Sequence, residues 1–258
     1  MLRRFLSRTV FILLFLPLSF TACKKDDQQM IPGKVTLQFN PVVDGQDLVL
    51  DDQEFTNSAG NKYKVEKLKY YVSKLKLTRS DGSIVEFPDG YFLIEETSLS
   101  NRREISLENV PAGNYSSFSF AIGVDSARNF STEMVGDLNP NNDMAWNWVS
   151  GYKFFMLEGK FTTAANATDA MVFHIGGNRS YRTIGLSTSS TGGLAAIQIK
   201  ANSNTIIELN ADINKLFNAT TTIDLNTINA IMQPGEEADK IANNYATGMF
   251  TLKNVRLE

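Results

Sequence analysis

Short runs in which every second residue is apolar constrain this chain more than any other feature of its sequence. Leu68, Tyr70 and Val72 form one such run, Phe118, Phe120 and Ile122 a second, and Met171, Phe173 and Ile175 a third. A period of two sends alternate side chains to opposite faces of a strand, and a strand with one apolar face must bury it against a second layer. Turn chemistry divides the runs, with NSAGN at residues 57–61, DG at 81–82 and PAG at 111–113. Many short strands with such punctuation, and no internal repeat, predict an all-β fold. The expectation is a single β-sandwich domain with a few short helices near the C-terminus.

Some details follow from the same pattern. In the longest run, residues 63–78, Leu68 to Val72 keep one phase while Leu75 and Leu77 keep the other, which predicts a bulge or bend near Ser73. Residues 194–200 and 205–209 read as a hairpin across Asn202, Ser203 and Asn204. Residues 212–217, 227–232 and 236–244 read as the short helices, and 250–255 as a closing strand. Residues 123–143 hold Asp125, Asn129, Asp137 and four further Asn or Pro residues between 139 and 142. This is a long polar loop, and long loops on a rigid scaffold are where function concentrates.

The N-terminus is different in kind. Arg3, Arg4 and Arg8 precede an apolar run from residue 10 to 20, too short to span a bilayer comfortably and followed by small residues. This is the form of a secretory signal, residues 1–22. Phe20-Thr-Ala-Cys23 resembles a bacterial lipobox, and Cys23 is the only cysteine of the chain. Lipidation of Cys23, and so attachment to the lipid bilayer, explains a lone cysteine here better than redox or metal chemistry does. Residues 23–33 then form a tether, and the domain runs from 34 to 258. The charged string KKDD at 24–27 resembles the export tag of surface lipoproteins of the Bacteroidota. The expected location is the outer membrane, at its periplasmic face or the cell surface.

What is absent narrows the chemistry. Residues 1–22 hold three arginines and no acid, so the rest of the chain has 22 basic against 28 acidic residues. No nucleic-acid partner is expected, since such binding needs a basic face. With one histidine, no G-x-S-x-G and no glycine-rich phosphate loop, no catalytic motif is found, and the chain is not read as an enzyme. A zinc site of two or three histidines is excluded.

Both tryptophans fall in the string MAWNWVSGYKF at residues 144–154. On an extended backbone Met144, Trp146 and Trp148 share one side, which makes either a block of core or the wall of a site. The string resembles the central motif of the MbnP family of secreted, copper-associated proteins. The segments YYVSKLKL at 70–77, PAGNY at 111–115, FAIGVD at 120–125 and FHIG at 173–176 follow in that family's order. The resemblance implies a β-sandwich and a di-haem, peroxidase-like partner that oxidises a tryptophan of the W-x-W pair to kynurenine, which helps to bind copper. It makes Trp146 and Trp148 candidate oxidation sites and His174 a candidate ligand, while Met144 supplies a thioether of the kind Cu(I) accepts. The sequence departs from the copper-binding pattern at Ser73 and Phe130, where histidines are expected. Asp125, Asn129 and Asp143 in the polar loop are candidate ligands for a hard cation such as calcium. The alternative is a surface lipoprotein that kept the scaffold, lost the metal and binds a ligand or protein partner through its loop.

Overall fold

A computed structural model describes residues 31–147, 150–188 and 196–258; residues 1–22, where a secretory signal is expected, Cys23 and Trp148 lie outside the described residues. In chain order the strands are β1 (Pro32–Val43), β2 (Gln46–Asp47), β3 (Phe55–Thr56), β4 (Lys62–Arg79), β5 (Ile84–Glu96), β6 (Asn101–Arg102), β7 (Glu104–Pro111) and β8 (Gly113–Ile122). They continue as β9 (Ala145–Asn147), β10 (Gly151–Thr162), β11 (Thr168–Gly176), β12 (Arg182–Ser187), β13 (Ile197–Ile199), β14 (Asn204–Asp212), β15 (Ala230–Ile231) and β16 (Phe250–Leu257). The α-helices are α1 (Ser126–Asn129) and α2 (Glu236–Asn244).

The strands make two sheets, as the alternation requires. The smaller has the order β16-β14-β1-β2, with β7 also on β1. Its β1 and β14 pair in parallel, from Lys34 opposite Asn204 to Val42 opposite Asp212. The larger sheet is built on β4. One edge of β4 pairs with β5 from Leu68 to Thr78. Its other edge pairs with β10 from Tyr63 to Tyr70, then with β8 from Val72 to Arg79. The sheet therefore forks at Tyr71, whose carbonyl accepts the N–H of Gly123 just past the end of β8. The bulge expected near Ser73 is present: the register shifts between Ser73 and Leu75, and Lys74 takes a φ of 50°.

The inner faces meet around Phe39. Its ring lies edge-on to Phe120 at 5.6 Å, to Tyr70 at 6.1 Å and to Phe250 at 6.2 Å, so one β1 side chain touches β4, β8 and β16. A second apolar cluster lies on the outer face of the larger sheet, where Tyr71, Leu93, Phe154 and Met156 are covered by Val124, Leu138 and Met144. The loop of residues 123–143 is polar in composition but pinned to the sheet by those inward residues.

Two local expectations are corrected. The segments flanking Asn202 do not form a hairpin: β13 pairs with β8 in the larger sheet and β14 with β1 in the smaller. The Asn202 N–H donates to the carbonyl of Pro32 at 3.1 Å, and the turn carries the chain from one sheet to the other. Residues 227–232 do not form a helix. The N–H groups of Thr227 and Ile228 both bond to the Asp224 carbonyl, after which Asn229 and β15 are captured by the edge of β11. The expected helix at 212–217 is a 3-10 turn (Ile213–Phe217) capped by Asp212, and 236–244 is the helix expected.

Phe39→Ala should cost about 3–5 kcal/mol, the usual range for a buried phenylalanine, measured as the shift in a urea unfolding curve. A loss below about 1 kcal/mol, the scale of a surface change, would show that the sheets do not depend on this contact.

Candidate functional site

The fork brings the start of β10 under the long loop, and one side chain ties the two together. Asn129, at the end of α1, is almost wholly buried; its Oδ1 accepts the Tyr152 N–H at 2.8 Å and its Nδ2 donates to Asn178 Oδ1 at 3.3 Å. A Cβ at Gly151 would stand 2.4 Å from that Oδ1, and Gly151 has a φ of 74°, so glycine is required on both counts. Gly176 is the second close approach: a Cβ there would meet the Tyr152 carbonyl oxygen at 2.5 Å and Cζ3 of Trp146 at 2.8 Å. The six-membered ring of the Trp146 indole thus closes on bare backbone at the end of β11.

Around that indole is a cleft of about 370 Å³. The loop supplies Asn129, Phe130, Ser131 and Pro140, β9 supplies Ala145 and Trp146, and β10 supplies Gly151 and Tyr152. None of these carries a charge. Phe130 is 50% exposed, so its ring adds apolar surface to the rim of the cleft. Tyr152 donates its hydroxyl to the Leu138 carbonyl at 3.0 Å, so the wall holds its shape through the loop it supports.

Beside the cleft, on the same outer face, runs a row of charges. Lys67 of β4 is paired with Glu158 of β10 at 2.9 Å, and the other oxygen of Glu158 lies 2.7 Å from Nε2 of His174 on β11. Lys69 pairs with Glu95 at 2.8 Å and donates to the Asn142 carbonyl at 3.0 Å. Lys153 donates to the Asp143 carbonyl at 3.0 Å, and the Asp143 carboxylate lies 3.5 Å from Lys153 and 3.8 Å from Lys67. Three lysines therefore hold the C-terminal end of the loop. Burial pushes the Glu158 carboxyl up, but hydrogen bonds from His174 and Lys67 outweigh it and hold its pKa below the usual value.

The candidate residues are distributed as follows. Trp146 lies over Gly176, two residues from His174 on the same face of β11. Met144 is fully buried in the outer apolar cluster and is not among the residues lining the cleft. Asp125 caps α1 and is bound by Tyr91 and Lys74, Asn129 holds β10, and Asp143 is engaged by lysines, so the three loop candidates do not converge. Ser73 donates to the Gly123 carbonyl at 2.7 Å and serves the fork. As donors for copper the described residues do not fit. The imidazole nitrogen faces a carboxylate already held by a lysine, the thioether is packed among tyrosines, and an indole N–H is a donor without a lone pair. Among the described residues no three His, Cys, Asp or Glu side chains are grouped to hold a metal. Sequence reasoning missed Glu158 and Lys67, which are cross-strand partners whose relation no linear spacing carries.

Because the pKa of Glu158 is lowered by folding, its contribution is present above the unfolded carboxyl value and is lost as pH falls through the folded one. Glu158→Gln should therefore flatten the loss of stability below about pH 4.5, near the ordinary glutamate value, in urea midpoints compared across pH. An acid limb identical to that of the parent protein would contradict this.

The model of one protein family, described as MbnP, matches residues 32–233. Among solved structures, "MbnP from Methylosinus trichosporium" is similar at 15% identity with a TM-score of 0.46, covering 71% of this chain and 76% of that one. No curated protein matches.

Proposed function

The chain belongs to the MbnP family, and on that premise we propose a cell-envelope lipoprotein, anchored through Cys23, that binds a small uncharged aromatic ligand in the Trp146 cleft. The observation that carries this reading is the cleft itself. It offers an indole over bare backbone, an exposed phenylalanine and a tyrosine, with no charged residue among those lining it. Its volume is in the range of small-molecule sites, which are mostly apolar with a few fixed polar groups. Flat apolar ligands gain by stacking on such rings, whereas an ion would lose its water without a counter-charge in return. Four of the eight lining residues come from the loop of residues 123–143.

Titration with indole and p-cresol, followed by ligand-observed NMR, tests the reading. Saturable binding is expected for the parent protein and for Met232→Ala, which lies outside the cleft, and should fall at least tenfold in Trp146→Ala. Equal binding to the Trp146 variant, or none to the parent, would sink it.

Copper is the competing reading, and one placement favours it: Trp146 approaches Gly176, on the same face of β11 as His174, and a tryptophan oxidised by a di-haem partner would present a ketone and an aromatic amine on that face. Intact mass and metal content of the natively produced protein examine both the anchor and this alternative. The expected result is a diacylglyceryl-type mass increase on the Cys23 peptide, an unmodified peptide over residues 143–153 and no stoichiometric copper. An oxidised tryptophan together with bound copper would replace the ligand reading, and an unlipidated Cys23 would remove the anchor.

A further inference from the structure

We propose, resting on the reading of the Trp146 cleft as an aromatic-ligand site, that its ligands carry a neutral hydrogen-bond acceptor, as aryl ketones and aldehydes do, and that Ser131 reads that acceptor. Most polar side-chain groups around the cleft are already committed. Asn129 accepts the Tyr152 N–H on its oxygen, donates one amide hydrogen to Asn178, and is almost wholly buried. The Tyr152 hydroxyl donates to the Leu138 carbonyl and is buried as well. Phe130, Pro140, Ala145 and Gly151 bring no polar side-chain group. Two groups remain, the Ser131 hydroxyl and the indole N–H of Trp146, and neither donates to a partner among the described residues.

Both are donors. An indole N–H can do nothing else. Ser131 Oγ already accepts the Glu133 N–H at 3.1 Å, while its own hydrogen is unclaimed. The hydroxyl is also held in place, because the Ser131 N–H bonds to the Arg128 carbonyl at 3.0 Å and the side chains of Arg128 and Glu133 pair across the same turn. Trp146 meets Gly176 through Cζ3 and Cη2 of its six-membered ring, which leaves Nε1, in the five-membered ring, outside that contact.

A hydrocarbon stacked in the cleft would take water off these donors and return no hydrogen bond, which carries a penalty. A carbonyl on the edge of the ligand ring restores a bond, so the site discriminates largely through its cost to the wrong ligand. A carboxylate would offer an acceptor too, but no cationic residue lines the cleft to offset the loss of its hydration. The class that fits is therefore aromatic, uncharged and acceptor-bearing.

Ligand-observed NMR on the full chain with acetophenone and cumene, which match in size and differ in the carbonyl, tests this. The readout is the ratio of the two affinities within each protein, so that the unequal hydrophobicity of the ligands cancels. The ratio of acetophenone to cumene affinity should fall about three- to tenfold in Ser131→Ala, the scale of one net hydrogen bond, and recover in Ser131→Thr, which restores a hydroxyl. Met232→Ala, outside the cleft, should keep the parent ratio. Trp146→Phe keeps a ring and removes the N–H, and so gives a second measurement that does not depend on Ser131→Ala being folded. An unchanged ratio in both Ser131→Ala and Trp146→Phe would overturn the acceptor preference, and a fall in Trp146→Phe alone would overturn the role given to Ser131. Failure of both ligands to bind the parent protein removes the reading of the cleft itself, whereas binding with unchanged ratios removes only the present proposal.

Discussion

A strand has two edges, and β4 must serve three long partners. β5 takes one edge, so β8 and β10 share the other end to end and the larger sheet divides at Tyr71. Everything on the outer face follows from that division. The chain leaving β8 and the chain entering β10 emerge side by side, and the unpaired backbone between them has to be satisfied. Ser73, Gly123 and Asn129 do this, through the Gly123 carbonyl, the Tyr71 carbonyl and the Tyr152 N–H. A histidine at Ser73, where the copper-binding pattern places one, would have to replace the short hydroxyl that closes the fork.

The same division explains why the site mixes two kinds of surface. Near the fork the outward residues of β4, β5 and β10 are tyrosine, leucine, phenylalanine and methionine, and the loop buries them. Two residues further along β4 they become Lys69 and Lys67, and their partners become Glu95 and Glu158. Charges this poorly hydrated persist only because each is paired, and removing one partner costs more than the pair contributes. The row is therefore best seen as a rigid border to the apolar patch, holding the loop where the cleft needs it.

How much of this the sequence could show depends on which residues carried the information. Alternation in β4, β8, β10 and β11 gave the two-layer architecture, and the phase change after Val72 gave the bulge at its place. Alternation says nothing about the partner, which is why β13 and β14 read as a hairpin although they belong to different sheets. The helical reading of residues 227–232 failed because the edge of β11 captured Ala230 and Ile231, and tertiary pairing overrode the helix propensity of the alanine. At the site, Trp146 and His174 stood out as rare residues in a family-like string. Glu158 and Lys67 were two among many acids and bases, 91 positions apart, and only the pairing of β4 with β10 makes them neighbours. Met144 shared a phase with Trp146 in the sequence, but the left-handed turn at Asp143 and the short β9 send its side chain into the core.

The parallel pairing of β1 with β14 has a consequence for how the molecule comes into being. β1 lies in the middle of the smaller sheet, yet its partner is about 170 residues further on, and β16, which pairs with β14, comes later still. A polypeptide emerging N-terminus first must keep β1 unpaired on that side until the residues up to β14 have been delivered. Contacts so distant in sequence slow the closing of a fold, because the loop between them has to be ordered first. The larger sheet, by contrast, joins strands closer together in sequence, from β4 with β5 to β4 with β10, and can gather earlier. Assembly thus has a built-in order, in which the aromatic face is shaped before the half of the sandwich that seals its core.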